Sequence, residues 1–147
     1  MNELDESLHE QIKGYCASGD TAALGEKFDE AIKQYEAAWT LLPSPKMQWQ
    51  ASVWILAALG DACFLSGQFE RGKDTFQEAM HGPSALGNPF LHLRLGQCQL
   101  ELGFDILAGD ELTRAYMAEG TDIFRGEDPK YFKLIQGLLQ APPGGWQ

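Results

Sequence analysis

Three glycines, Gly19, Gly60 and Gly96, stand 41 and 36 residues apart, and three small residues, Ala31, Gly72 and Ala108, repeat the same two intervals. Two markers that stay in step define a repeating unit, and a period of this size belongs to chains that stack one supersecondary unit on copies of itself. Around the markers apolar residues recur at three- and four-residue spacing, with no sustained strand alternation, so each unit reads as a pair of helices. Small residues are needed where two helices cross closely, with larger side chains filling the gaps between them.

Gly and Pro cut the chain into helical runs at about 4–24, 28–42, 46–66, 69–81, 88–102, 105–118 and 129–140. Asn88-Pro89 and Asp128-Pro129 are helix starts, a capping side chain followed by a ring that fits the first helical position. The third run is apolar nearly all round (Val53, Trp54, Ile55, Leu56, Leu59, Phe64, Leu65), the pattern of a helix buried on more than one side. The seven extra residues before the second copy, around 44–52, are expected to lengthen its first helix backward, and two more fall near 81–87. The expectation is one domain over 1–140, with repeats at 12–45, 53–86 and 89–122, a capping helix at 129–140 and a flexible tail at 141–147.

Composition narrows the function. With 44% apolar residues and 11% aromatic ones, the chain can build a core. Its formal charge is −10. Nucleic acid is excluded as the expected partner, since backbone binding needs surplus Lys and Arg, and an anionic membrane surface is excluded on the same ground. The acidity is concentrated in residues 1–45, with nine acids against three bases. An acidic face steers and selects basic partners. Cys16, Cys63 and Cys98 are far apart and sit in apolar helical stretches, as buried thiols in a reducing compartment do. The first ten residues carry four acids, no base and no apolar core of a signal peptide, and the most apolar run, Val53–Leu59, is too short to span a bilayer. The expected location is the cytoplasm.

Catalytic patterns are missing from the sequence. His9, His81 and His92 have no partner at metal-ligand spacing, and there is no G-x-S-x-G, P-loop or G-x-G-x-x-G. No catalytic or metal residue is therefore assigned, no cofactor is expected, and the chain is read as a non-enzyme.

The middle copy reads Leu56-x2-Leu59-Gly60-x2-Cys63, then Gly72-x3-Phe76, Ala79 and Pro83. The next reads His92-x2-Leu95-Gly96-x2-Gln99, then Ala108-x3-Leu112 and Ala115, and the first reads Tyr15-x2-Ser18-Gly19-x2-Ala22, then Ala31-x3-Tyr35, Ala38 and Pro43. These copies resemble the tetratricopeptide repeat (TPR), whose outline is W-x2-L-G-x2-Y, A-x3-F, A and P. The resemblance implies an all-α fold, a right-handed superhelical stack of about three helix-turn-helix repeats closed by a C-terminal capping helix. His92 takes the place of the repeat's aromatic residue and is expected to pack.

The resemblance also implies a partner-binding concave face lined by the first helix of each repeat. Carried over position by position, it points to Lys13, Cys16 and Asp20 in the first copy, to Trp54, Ala57, Asp61 and Phe64 in the second, and to Phe90, Leu93, Gln97 and Glu101 in the third. Some members clamp a peptide's terminal carboxylate with Lys and Asn. Cys16, Asp20 and Asp61 stand in such places here, so the expected guest is a basic or partly apolar protein surface. The stretches WILAALGDACFLSGQFERGKDTF, GNPFLHLRLGQCQLELG and DELTRAYMAEGTDIFRGEDPKYF further resemble small bacterial TPR proteins encoded beside polymorphic toxins, which implies an immunity protein that neutralises its cognate toxin. Two other roles are open: a class II chaperone of type III secretion, holding an extended secreted segment, and a general TPR scaffold. The long third helix and the wide spacing of copies one and two count against the chaperone.

Overall fold

Asp5 opens the first helix by accepting the backbone N–H of Leu8, and the chain then continues through seven α-helices among the described residues of a computed structural model, residues 3–146. They are α1 (Glu6–Leu24), α2 (Phe28–Leu41), α3 (Gln50–Leu65), α4 (Phe69–Ala79), α5 (Pro89–Glu101), α6 (Asp105–Glu119) and α7 (Pro129–Leu138). The helix starts read from Asn88-Pro89 and Asp128-Pro129 are made as expected: Asn88 accepts from Phe90 N–H at 3.0 Å and Asp128 from Lys130 N–H at 3.0 Å.

The chain divides into two compact units, residues 1–86 and 87–147. In the first, α1 packs on α2, α3 on α4, and α3 also meets α2 and α1. That third helix is buried on several sides, as its apolar circumference requires, with Ala51, Val53, Ile55, Leu56, Leu59, Ala62 and Cys63 all enclosed. In the second unit α5 packs on α6, and α7 packs on α6 behind a short 3-10 helix, Gly120–Phe124, that the sequence reading did not anticipate.

The glycine register has a direct physical cause. A methyl group on Gly19 would lie 2.5 Å from the Tyr35 ring, one on Gly60 2.7 Å from the Phe76 ring, and one on Gly96 2.8 Å from Leu112. In each copy the residue sixteen positions on fills the space that the glycine leaves. Tyr35, Phe76 and Leu112 are buried, and full burial of such a side chain contributes about 1.5–3 kcal/mol. The turns repeat too. Lys27, Gln68 and Phe104 each donate their N–H to the carbonyl five residues back, at 2.9, 2.7 and 2.8 Å. The preceding residue takes positive φ in every case: Gly67 at 82° and Gly103 at 88°, but Glu26 at 58°, where an L side chain costs roughly 1–2 kcal/mol.

Two expectations need correction. The insert near 44–52 lengthens α3 by only part of its length, since α3 begins ten residues before Gly60 and α5 seven before Gly96. The remainder forms a 3-10 turn, Lys46–Gln48, because Pro43 and Pro45 cannot stand inside a helix. Lys46 Nζ fastens it by donating to the Trp39 and Leu42 carbonyls at 2.8 and 2.7 Å, and the Trp49 indole donates to the Pro43 carbonyl at 2.9 Å. The expected tail at 141–147 is not loose in its described part. A turn closed from Gly145 N–H to the Pro142 carbonyl sets Trp146 against Tyr116 and Phe132, at ring-centre distances of 5.5 and 5.4 Å. Gln147, like Met1 and Asn2, lies outside the described residues.

Candidate binding groove

In the first unit the exposed sides of α1 and α3 leave two neighbouring hollows that share Asp20 and Ala58. The first, about 250 Å³, runs along Lys13, Cys16 and Ala17 of α1 and Trp54 of α3. The second, about 390 Å³, is bounded by Ala23 and Leu24 of α1, Asp61, Ala62 and Leu65 of α3, and the Tyr35 ring from beneath. Helical spacing creates this line-up, for Ala17, Asp20 and Leu24 stand on one face of α1, and Ala58, Asp61 and Leu65 on one face of α3. Each trio is a small residue, an acid and a leucine. The alanines leave the space, the leucines give it an apolar wall, and the acids supply its charge.

Tyr35 OH donates to Asp20 Oδ1 at 2.7 Å, which fixes the carboxylate at the groove. Burial, then this hydrogen bond, then the charges of Asp20 and Asp61 push the Tyr35 phenol well above its ordinary range. Burial and the Asp20 charge raise the Cys16 thiol to about 11, so at neutral pH it lines the groove as a protonated, weakly reactive group. The groove is therefore apolar with a negative centre. Lys13, the only base among its described lining residues, is paired with Glu10 at 3.7 Å.

In the second unit the matching positions of α5 are Arg94, Gln97 and Glu101, and the chain itself covers them. Arg94 Nη1 donates to Gln97 Oε1 and to Glu127 Oε1, both at 2.8 Å, and Gln97 Nε2 donates to Glu127 Oε1 at 2.7 Å. Glu101 accepts from Tyr131 OH at 2.6 Å and pairs with Lys130 at 2.5 Å. Burial works against the Glu101 carboxylate, but the hydrogen bonds from Lys130 and Tyr131 outweigh it and hold the group below its ordinary range. His92 packs, as expected. It is buried and accepts the Gly87 N–H at Nε2 at 3.1 Å, so its proton sits on Nδ1 and is donated to Glu111, 2.5 Å away.

Of the residues pointed to by the resemblance, Lys13, Cys16, Asp20, Trp54 and Asp61 come together on the α1–α3 face. Ala57 and Phe64 are half-buried and outside the two hollows, Phe64 packing on Phe69 at 5.8 Å. Phe90 is partly exposed, with the Arg94 guanidinium 5.2 Å from its ring centre. Leu93 and Gln97 are 2% and 0% exposed, so neither presents a surface to a partner, and Glu101 is taken up by Tyr131 and Lys130. The sequence reading missed Ala17, Ala58 and Leu65, although their fixed offsets of two before and five after the repeat glycine could have found them. Among the described residues no three His, Cys, Asp or Glu side chains are grouped to hold a metal, and no helix is long and apolar enough to cross a membrane.

Solved structures decide the fold. The C-terminal TPR-containing domain of a putative FK506-binding protein of Plasmodium falciparum matches with a TM-score of 0.71 at 12% identity, over 92% of this chain and 90% of that one. The TPR domain of Arabidopsis OM64 matches at 0.68 and 16% identity, over 90% and 99%. The Yersinia enterocolitica type III secretion chaperone SycD, solved with a peptide of the translocator YopD, matches at 0.68 and 16%, over 93% and 96%. The fold is that of a TPR domain. No family model and no curated protein matches the sequence.

Proposed function

We propose that this TPR chain is a non-catalytic protein-binding module whose α1–α3 groove receives a basic, partly apolar segment of another protein. The observation that carries the reading is the Asp20 carboxylate, held by Tyr35 over the apolar walls of the two α1–α3 hollows, with Asp61 lining the second of them. A carboxylate-terminated guest would meet like charge there. A Lys or Arg flanked by apolar residues meets opposite charge and buries its neighbours.

Within this reading the chain acts as an immunity protein that occupies a basic toxin domain in the cytoplasm of the producing cell. Its support is the sequence resemblance together with the net charge of −10. The test is co-expression with the product of the adjacent gene. Neutralisation and co-purification are expected, and a product equally lethal with and without this chain contradicts the immunity role. The groove itself favours a second reading. A trough between two helices suits an extended segment, and SycD, which is similar in fold, was solved with a peptide of the translocator YopD. A partner that binds while unfolded, through apolar anchors and with affinity lost on replacing Trp54, makes the protein a chaperone. A folded partner held mainly through Asp20 and Asp61 makes it an inhibitor.

A further inference from the structure

A larger hollow of the first unit adjoins the groove just described and shares Trp54 with it. It measures about 630 Å³ and is built by the insert that separates copies one and two, together with the start of the chain. Trp49 and Trp54 supply its aromatic walls, and Glu3, His9, Gln48 and Gln50 its polar ones. Trp54 is half exposed, and His9 meets it edge-on at 6.1 Å between ring centres. The Trp49 indole N–H is already committed to the Pro43 carbonyl, so this ring offers the hollow its π system rather than a donor. Lys46, the nearest base in sequence, is turned to the carbonyls of Trp39 and Leu42. Among the described residues that line the site there is no Lys or Arg, and there is one carboxylate.

Indole faces attract cations, and a carboxylate beside them adds opposite charge. A guanidinium is the cation that uses both features at once, because its flat face stacks on an aromatic ring while its edge still presents N–H donors to carboxylate and amide oxygens. We propose that this hollow is an arginine-recognising pocket, and that it takes an arginine side chain of a protein partner between Trp54 and Glu3. The pocket shares Trp54 with the groove but otherwise rests on the insert, on the approach to α1 and on His9, and neither Asp20 nor Asp61 lines it. It therefore stands or falls separately from the groove reading.

The test uses the full chain labelled with nitrogen-15 and the indole N–H resonances of its four tryptophans. N-acetyl-arginine amide is the probe, with the citrulline analogue, equal in shape but uncharged, as its counterpart. The arginine probe is expected to shift the Trp49 and Trp54 indoles along a saturating curve while Trp39 and Trp146 stay in place. The citrulline analogue is expected to bind at least about fivefold more weakly, the scale of a partly exposed cation–π contact joined to a carboxylate. Glu3 is exposed and precedes the first helix, so Glu3→Gln and Glu3→Lys leave the fold intact. The first is expected to weaken the arginine probe about threefold and the second to abolish its saturation. Asp20→Asn with Asp61→Asn is expected to leave this binding unchanged, which separates the pocket from the groove. Equal binding of the citrulline analogue, shifts spread over all four indoles, or indifference to Glu3→Lys would each overturn the proposal.

Discussion

The α1–α3 face of the first unit and the α5 face of the second carry the same repeat positions with opposite contents. Two residues before the repeat glycine stand Ala17 and Ala58 in the first unit and Arg94 in the second. One residue after it stand Asp20 and Asp61, then Gln97. Five after it stand Leu24 and Leu65, then Glu101. Small, acidic and apolar residues leave an open, negative trough. Arg94, Gln97 and Glu101 instead bind the chain's own Glu127, Lys130 and Tyr131, so that face is filled before any partner arrives. The contrast teaches that the repeat fixes where a groove can be, while three side chains per copy decide what lines it.

The largest effect is expected from reopening the filled face. Arg94 and Glu127 keep only 10% and 19% of their side-chain surface in water. Glu127→Ala removes the carboxylate that Arg94 and Gln97 both bind and is expected to cost about 2–3 kcal/mol, read from urea denaturation. A loss under about 0.5 kcal/mol would mean that the second unit is no more closed than the first. Next comes the feature that the copies share. Gly60→Ala drives a methyl into the buried Phe76 ring and is expected to lose about 1–3 kcal/mol in the same measurement, with no new partner preference. The smallest effect concerns pH. Because the folded Glu101 is held below its ordinary value of 4.5, its contribution is complete above that pH and fades as pH falls below it. Glu101→Gln is thus expected to flatten the acid limb of the stability profile. An unchanged limb would show that Tyr131 and Lys130 do not neutralise this position.

How far these differences can be read in the sequence depends on their range. Helix positions follow from local rules, since capping at Asn88 and Asp128 and apolar spacing act within a few residues, and the structure matches them closely. The glycine register is legible for the same reason, each glycine having its filler sixteen residues on. Occupancy of the faces is not legible. Gln97 looks like a groove residue until Glu127, thirty positions away, is seen to accept its hydrogen bonds. Glu101 likewise looks like a free acid until Tyr131 and Lys130 reach it. Trp146 resembles a tail residue because Pro142-Pro143-Gly144-Gly145 signals a turn without saying what the turn brings together. The insert was misjudged because its spacing gave its length, whereas two prolines and the reach of Lys46 set its path.

The most direct test of the open groove is a selection of random twelve-residue segments on the immobilised full chain, run in parallel on the Asp20→Asn, Asp61→Asn double variant. Asn at position 20 can still accept from Tyr35, and a thermal melt of the double variant checks that removing the two charges keeps the fold. The expected winners carry Lys or Arg beside apolar residues, and they bind the double variant at least about tenfold more weakly, some 1.4 kcal/mol. Winners that are acidic, that depend on a free terminal carboxylate, or that bind both proteins equally would contradict an acid-centred groove on the α1–α3 face.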